Sequence, residues 1–69
     1  MPKITLKAAR VNAGYTQQEV AEQLNVAIST VRNWENDVTT PKLSLFVQLC
    51  KLYQIPMDGI FLKSKLANS

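Results

Sequence analysis

The chain has no histidine, a single cysteine and two isolated glycines among its 69 residues. Each scarcity removes a class of function. One cysteine cannot close an internal disulfide, and metal sites draw several Cys, His or carboxylate ligands together. No metal and no cofactor are expected, and Cys50 reads as a small buried hydrophobe. Gly14 and Gly59 stand alone, so there is no glycine-rich phosphate loop. The carboxylates are Glu19, Glu22, Glu35, Asp37 and Asp58, scattered along the chain, and without histidine they offer no convergent catalytic set. An enzyme is not expected. No apolar run approaches the roughly 18 residues that a membrane span needs. The start, MPKITLKAAR, is basic but lacks a signal peptide's apolar core. A cytoplasmic protein without a membrane partner is the expectation.

What is present is enough for one small domain. Hydrophobic residues make up 46%, too many for a disordered chain. The net charge of +3 suits a nucleic-acid partner without requiring one. At this length the core is modest, so local helix signals must carry much of the fold. A single domain over 1–69 is expected, ordered from about 5 to 63, with Met1–Ile4 a flexible lead and the tail KSKLANS fraying. There are no internal repeats.

The organising stretch is QQEVAEQLNVAISTVRNWEN, from Gln17 to Asn36. Val20, Ala21 and Leu24 form one apolar stripe at helical spacing, and Val31 and Trp34 form another, with Val26 between them. Ala21 is the small residue where two helices cross closely. Asn25 stands where a tight turn needs positive φ. Two short helices joined in this way make a helix-turn-helix.

Around it the signals run in order. Thr5 caps a first helix over Leu6–Asn12, with Leu6, Ala9 and Ala13 inward, Lys7 outward and Gly14 as its left-handed end. Thr16 and Glu19 form a capping box for a second helix, Gln17–Leu24. The third helix runs Ile28–Glu35, and Ala27 is a poor cap for it. After the polar loop Asn36–Thr40, Pro41 opens a fourth helix over Lys42–Tyr53. Its inward stripe is Leu43, Phe46, Leu49, Cys50 and Tyr53. Leu45 and Leu52, with Leu49 between, read as an exposed apolar strip of the kind that marks an interface. A short fifth helix is expected over Met57–Leu62, with Ile60 and Phe61 apolar.

The third helix turns Ile28, Ser29, Thr30, Arg32 and Asn33 outward. Asn pairs bidentately with adenine, Ser and Thr reach several base edges, and Ile28 can touch a thymine methyl. Arg32 suits guanine or a phosphate. The same face is also what any solvated helix presents. Gln17 and Gln18 begin the second helix, where free N–H groups favour an anion, although they equally serve solubility. Asn36, Thr39 and Thr40 can donate to a phosphate, and Lys42 adds charge beside them. Arg10 and Glu35 can bridge the first and third helices across a partly buried gap, or remain two unrelated surface charges.

Over Leu6–Leu62 the chain resembles the phage Cro/cI repressor-type helix-turn-helix family, also called the XRE family. The segment LKAARVNAGYTQQEVAEQLNVAISTVRNWENDVTTPKL carries the likeness, most specifically in TQQEVA, STVRNWEN and the Pro41-Lys42-Leu43 opening. The resemblance implies an all-α, compact five-helix lambda-repressor-like domain that binds double-stranded operator DNA, commonly as a homodimer on two half-sites. It implies phosphate contacts from Gln17 and Asn36. It implies base contacts from Ala27, Ile28, Ser29 and Asn33, with Arg32 as a further candidate, and a bridge between Arg10 and Glu35. The chain departs from the family pattern at Ala27, where Ser or Thr is usual, at Asn25, where Gly is usual, and at Asp37, where Gly is frequent. No small-molecule ligand is expected. A protein-interaction module on the same fold, an antitoxin or an antirepressor, is the alternative, motivated by the leucine strip and the modest charge.

Overall fold

Thr5 and Thr16 start the first two helices by the same device. Each sits in extended backbone, and its hydroxyl accepts an otherwise free N–H, from Ala8 at 3.1 Å and from Glu19 at 3.1 Å. The Glu19 carboxylate returns the bond by accepting from Thr16 N–H at 2.8 Å, which completes the capping box. These caps begin α1 (Leu6–Ala13) and α2 (Gln17–Leu24). The computed structural model describes residues 3–62. Within them follow α3 (Ile28–Glu35), α4 (Leu43–Tyr53) and a 3-10 turn over Met57–Gly59. The tail expected to fray, 63–69, and the Met1-Pro2 part of the lead lie outside the described residues.

Three helices end on one motif. Gly14, Asn25 and Gln54 each take left-handed backbone, at φ 85, 58 and 55°. The next residue's N–H then reaches back to the last turn: Tyr15 to Arg10, Val26 to Ala21 and Ile55 to Cys50, at 3.2, 3.0 and 3.0 Å. This pattern satisfies carbonyls that the helix end leaves free. Tyr15, Val26 and Ile55 are all partly buried against the core, the apolar contact that usually accompanies the motif.

α2 packs chiefly on α3, while α4 packs on α1 and α2 and supports the 3-10 turn. The core comprises Leu6 and Ala9 of α1, Val20, Ala21 and Leu24 of α2, and Val31 and Trp34 of α3. Phe46, Leu49, Cys50 and Tyr53 of α4 complete it, with Ile60. Val20 has no exposed surface at all.

The structure corrects the sequence reading in several places. Ala13 is exposed: α1 runs one residue further than expected, and Ala13, its last residue, lies past the buried Leu6 and Ala9. Pro41 does not open α4. It precedes the capping residue Lys42 and is fully buried, so its ring fills core space rather than the first helical position. Leu43 is 60% exposed, since the buried arc of α4 starts only at Phe46. Leu45 and Leu52 do not form an exposed strip. Both are half-buried against the core, because α4 has neighbours on several sides and buries a wide face.

The fifth helix is absent as such. After the 3-10 turn, Ile60 is extended at φ −105° and ψ 130°. Ile4 pairs alongside it in an isolated parallel bridge, its N–H donating to the Gly59 carbonyl at 3.0 Å and its carbonyl accepting from Phe61 N–H at 2.8 Å. Pro56 offers no N–H, and β-branched Ile60 favours extension when a backbone partner is at hand. Ile4 is that partner, so it belongs to the folded unit rather than to a flexible lead. Ile60 is buried, whereas Phe61 is 54% exposed.

Candidate nucleic-acid interface

Helix α3 is held from one side only. Val31 and Trp34 are buried at 1% and 5% exposure and anchor it on α2 and the core. Its opposite surface follows from the 3.6-residue period. Ser29 and Arg32 are exposed, and Thr30 and Asn33 are half-buried. Ser29 and Asn33, four residues apart, share one face. Ile28 is half-buried and packs partly on the core, so only part of its side chain is available to a partner. Ala27 precedes the helix, exposed and in extended backbone at ψ 149°, with no side-chain cap bond.

The loop after α3 folds back onto the helix end. The Asn33 carbonyl accepts from Val38 N–H at 2.9 Å and Thr39 N–H at 3.3 Å. Asp37 makes this reversal possible with φ 60°. Asn36, Thr39 and Lys42 are exposed and Thr40 is half-buried. Asp37 adds an exposed negative charge to the same loop.

At the other end of the motif, the first intrahelical bond of α2 is Val20 N–H to the Thr16 carbonyl, 3.1 Å. The Gln17 and Gln18 N–H groups precede it and, as at any helix start, find no intrahelical acceptor. Their side chains are engaged. Gln18 donates to the Glu22 carboxylate one turn on, at 3.1 Å, on the exposed face. Gln17 donates through Nε2 to Glu35 Oε1 at 3.0 Å.

Glu35 is the hub of this end. Its side chain is 3% exposed. Arg10 meets it with a two-pronged contact, Nε to Oε2 at 2.7 Å and Nη2 to Oε1 at 3.2 Å. The remaining prong, Arg10 Nη1, donates to the Tyr15 carbonyl at 2.9 Å, just before the α2 cap. One guanidinium therefore joins α1, the α1–α2 turn and the end of α3. The hydrogen bond to Glu35 is the main cause holding the Arg10 pKa above its ordinary value, against the opposing pull of burial. Tyr53 lies under this cluster. Burial first, and then the Glu35 charge, push its phenol well above the usual range.

The sequence gives no sign of the Gln17–Glu35 bond, which joins positions 18 residues apart on different helices. Arg10 and Glu35, 25 residues apart, carried a signal through their placement, near the Leu6 and Ala9 face of the first helix and at the end of the third beside Trp34, and through the family likeness. Among the described residues no cluster of three or more His, Cys, Asp or Glu side chains is placed to hold a metal. No helix among them is long and apolar enough to cross a membrane.

Comparison with known proteins falls on the same elements. A helix-turn-helix family model matches residues 6–60, from the start of α1 to the extended Ile60. The chain is 37% identical over 62 residues to the HTH-type transcriptional regulator ImmR of Bacillus subtilis (strain 168), covering 90% of this chain and 49% of that protein. It is 30% identical over 59 residues to the uncharacterized HTH-type transcriptional regulator YgzD of the same organism, covering 86% of this chain and 89% of that protein. The chain thus spans about half the length of the first relative and most of the second.

Proposed function

The chain belongs to the Cro/cI-type helix-turn-helix family, and on that premise we propose that it is a sequence-specific, double-stranded DNA-binding regulator of transcription. It acts like a repressor in the cytoplasm, by occupying an operator as a homodimer with α3 of each copy in the major groove. The carrying observation is the one-sided anchoring of α3: Val31 and Trp34 fix the helix while Ser29 and Arg32 stay exposed on its far side. Both relatives are named as transcriptional regulators, which supports the same reading.

Within it, Ala27, Ile28, Ser29, Thr30, Arg32 and Asn33 read base edges. Gln17 and Gln18 at the start of α2 hold one phosphate region, and Asn36, Thr39, Thr40 and Lys42 hold another. A dimer is needed because one small domain makes few contacts and joining two half-sites multiplies affinity. The protein-interaction alternative loses its main motive, since the Leu45 and Leu52 strip is packed against the core.

Selection of bound sequences from a random duplex pool tests the proposal. A palindromic motif with half-sites about one helical turn apart is expected, with binding that weakens steeply as salt rises. Failure to enrich any sequence at low salt refutes it. On the enriched site, Ser29→Ala and Asn33→Ala are each expected to cost roughly 1–3 kcal/mol on specific DNA and little on random DNA. Gln17→Ala should weaken both alike. Equal losses on both DNAs for all three variants overturn this division of labour.

A further inference from the structure

We infer that Glu35, although it ends the recognition helix and is nearly buried, is a positioning residue for phosphate recognition by Gln17. The inference rests on the DNA-binding reading above. It starts from the bond from Gln17 Nε2 to Glu35 Oε1, 3.0 Å long, within a cluster where Glu35 is 3% exposed. A carboxamide has two faces of opposite character, an oxygen that accepts and a nitrogen with two hydrogens that donate. A phosphate accepts only, so Gln17 serves it only when the nitrogen is on the phosphate side.

Glu35 fixes that choice. As the anionic partner of Arg10 it offers acceptors alone, so Gln17 must turn its nitrogen toward it. One Nε2 hydrogen is taken by Oε1, and the second remains on the same nitrogen to donate outward. The Gln17 carbonyl oxygen, which would repel a phosphate, is held away from that position. The Gln17 backbone N–H, free at the start of α2, completes a pair of donors on one residue.

A bare carboxylate so close to a phosphate would itself oppose binding. Arg10 removes this objection. Its two-pronged contact at 2.7 and 3.2 Å makes the pair neutral, and its third donor is occupied by the Tyr15 carbonyl at 2.9 Å. The cluster therefore orients Gln17 without presenting net negative charge. It also couples the two ends of the motif, since the residue that orients the start of α2 is the last residue of α3.

A double-mutant cycle tests this with Gln17→Ala and Glu35→Gln, reading affinity for random duplex DNA on protein shown to be folded by circular dichroism. A glutamine at 35 can donate or accept, so it no longer dictates the Gln17 amide. Glu35→Gln also removes a negative charge, but that effect acts in both backgrounds and cancels in the cycle. Gln17→Ala should cost roughly five-fold in affinity in the parent, and about two-fold or less in the Glu35→Gln background. The same loss in both backgrounds overturns the inference.

A second measurement needs no variant. In the parent protein, the two Gln17 side-chain amide hydrogens should give separate NMR signals. On adding duplex, one should keep its position, as the hydrogen on Glu35, while the other shifts. Both shifting together, or neither shifting, overturns the inference. If the parent binds no duplex at all, the proposed function itself fails. If it binds with an additive cycle, only the role of Glu35 does.

Discussion

Asn25, Asp37 and Gln54 carry left-handed backbone on side chains that pay for it in strain, at φ 58, 60 and 55°. An L-residue there crowds its Cβ against the following carbonyl, and Asn and Asp suffer least because their short polar groups bond locally. Asp37→Gly removes that strain, at the expense of a more flexible unfolded chain. A net gain of about 0.5–1 kcal/mol is expected, read as a higher urea midpoint with unchanged slope. The same change removes a negative charge from the loop after α3, so affinity for random duplex should also rise, more at low salt. A lower midpoint would show that the Asp37 side chain stabilises the turn by more than its strain. These residues also explain what the sequence disclosed. Gly14 and Asn25 announce their conformation through residue type, and both were legible. Gln54 adopts the same backbone with no such signal, because there the closing Ile55 bond and its burial override a weak local preference.

Helices α2 and α3 could be bounded from sequence alone because their signals are local: a capping box, a turn asparagine and two apolar stripes. The end of the chain was not legible for the opposite reason. Residues 57–62 are apolar enough for a helix, yet their conformation depends on Ile4, more than fifty positions earlier, which supplies the backbone partner for Ile60. Pro41 shows the same limit, since its type fits a helix start while its burial just before Lys42 is decided by packing. Within α3 the weak point is its start. Ala27 has the extended backbone of a capping residue but no side-chain acceptor, and Thr30 N–H makes do with the Ala27 carbonyl at 3.0 Å. Ala27→Ser supplies that acceptor at an exposed position. It should stabilise the protein by about 1 kcal/mol, measured by urea unfolding. Stability unchanged by the substitution would mean that the existing bond already satisfies the helix start. Since Ala27 also belongs to the proposed base-reading set, the enriched DNA sequence should be re-selected with this variant.

The molecule as a whole converges on one site where its helices meet: Arg10 of α1, the Tyr15 carbonyl, Gln17 of α2, Glu35 of α3 and, beneath them, Tyr53 of α4. Such a cluster fixes the mutual orientation of helices more than it adds net stability, because both charges give up water to form it. Tyr53 makes it sensitive to alkali. Tyr53 is 7% exposed, and its ring lies 6.4 Å from that of Tyr15, centre to centre. Its pKa in the folded protein lies well above the ordinary 10.0, through burial first and then the Glu35 charge, with Arg10 opposing. The unfolded chain therefore loses this proton first. The stabilisation is complete below about pH 10, and is lost as pH rises from there towards the folded value, at up to about 1.4 kcal/mol per pH unit. Burial raises the Cys50 thiol from 9.0 in the same direction, so it contributes a decline of its own that starts lower. Tyr53→Phe keeps the ring and removes the titration. Unfolding measured between pH 8 and 11 should show the parent falling steeply above pH 10 and the variant retaining only the shallower share due to Cys50. Parallel curves for the two proteins would mean that the phenol is free to ionise in the folded state, and that the cluster is more open to water than its geometry indicates.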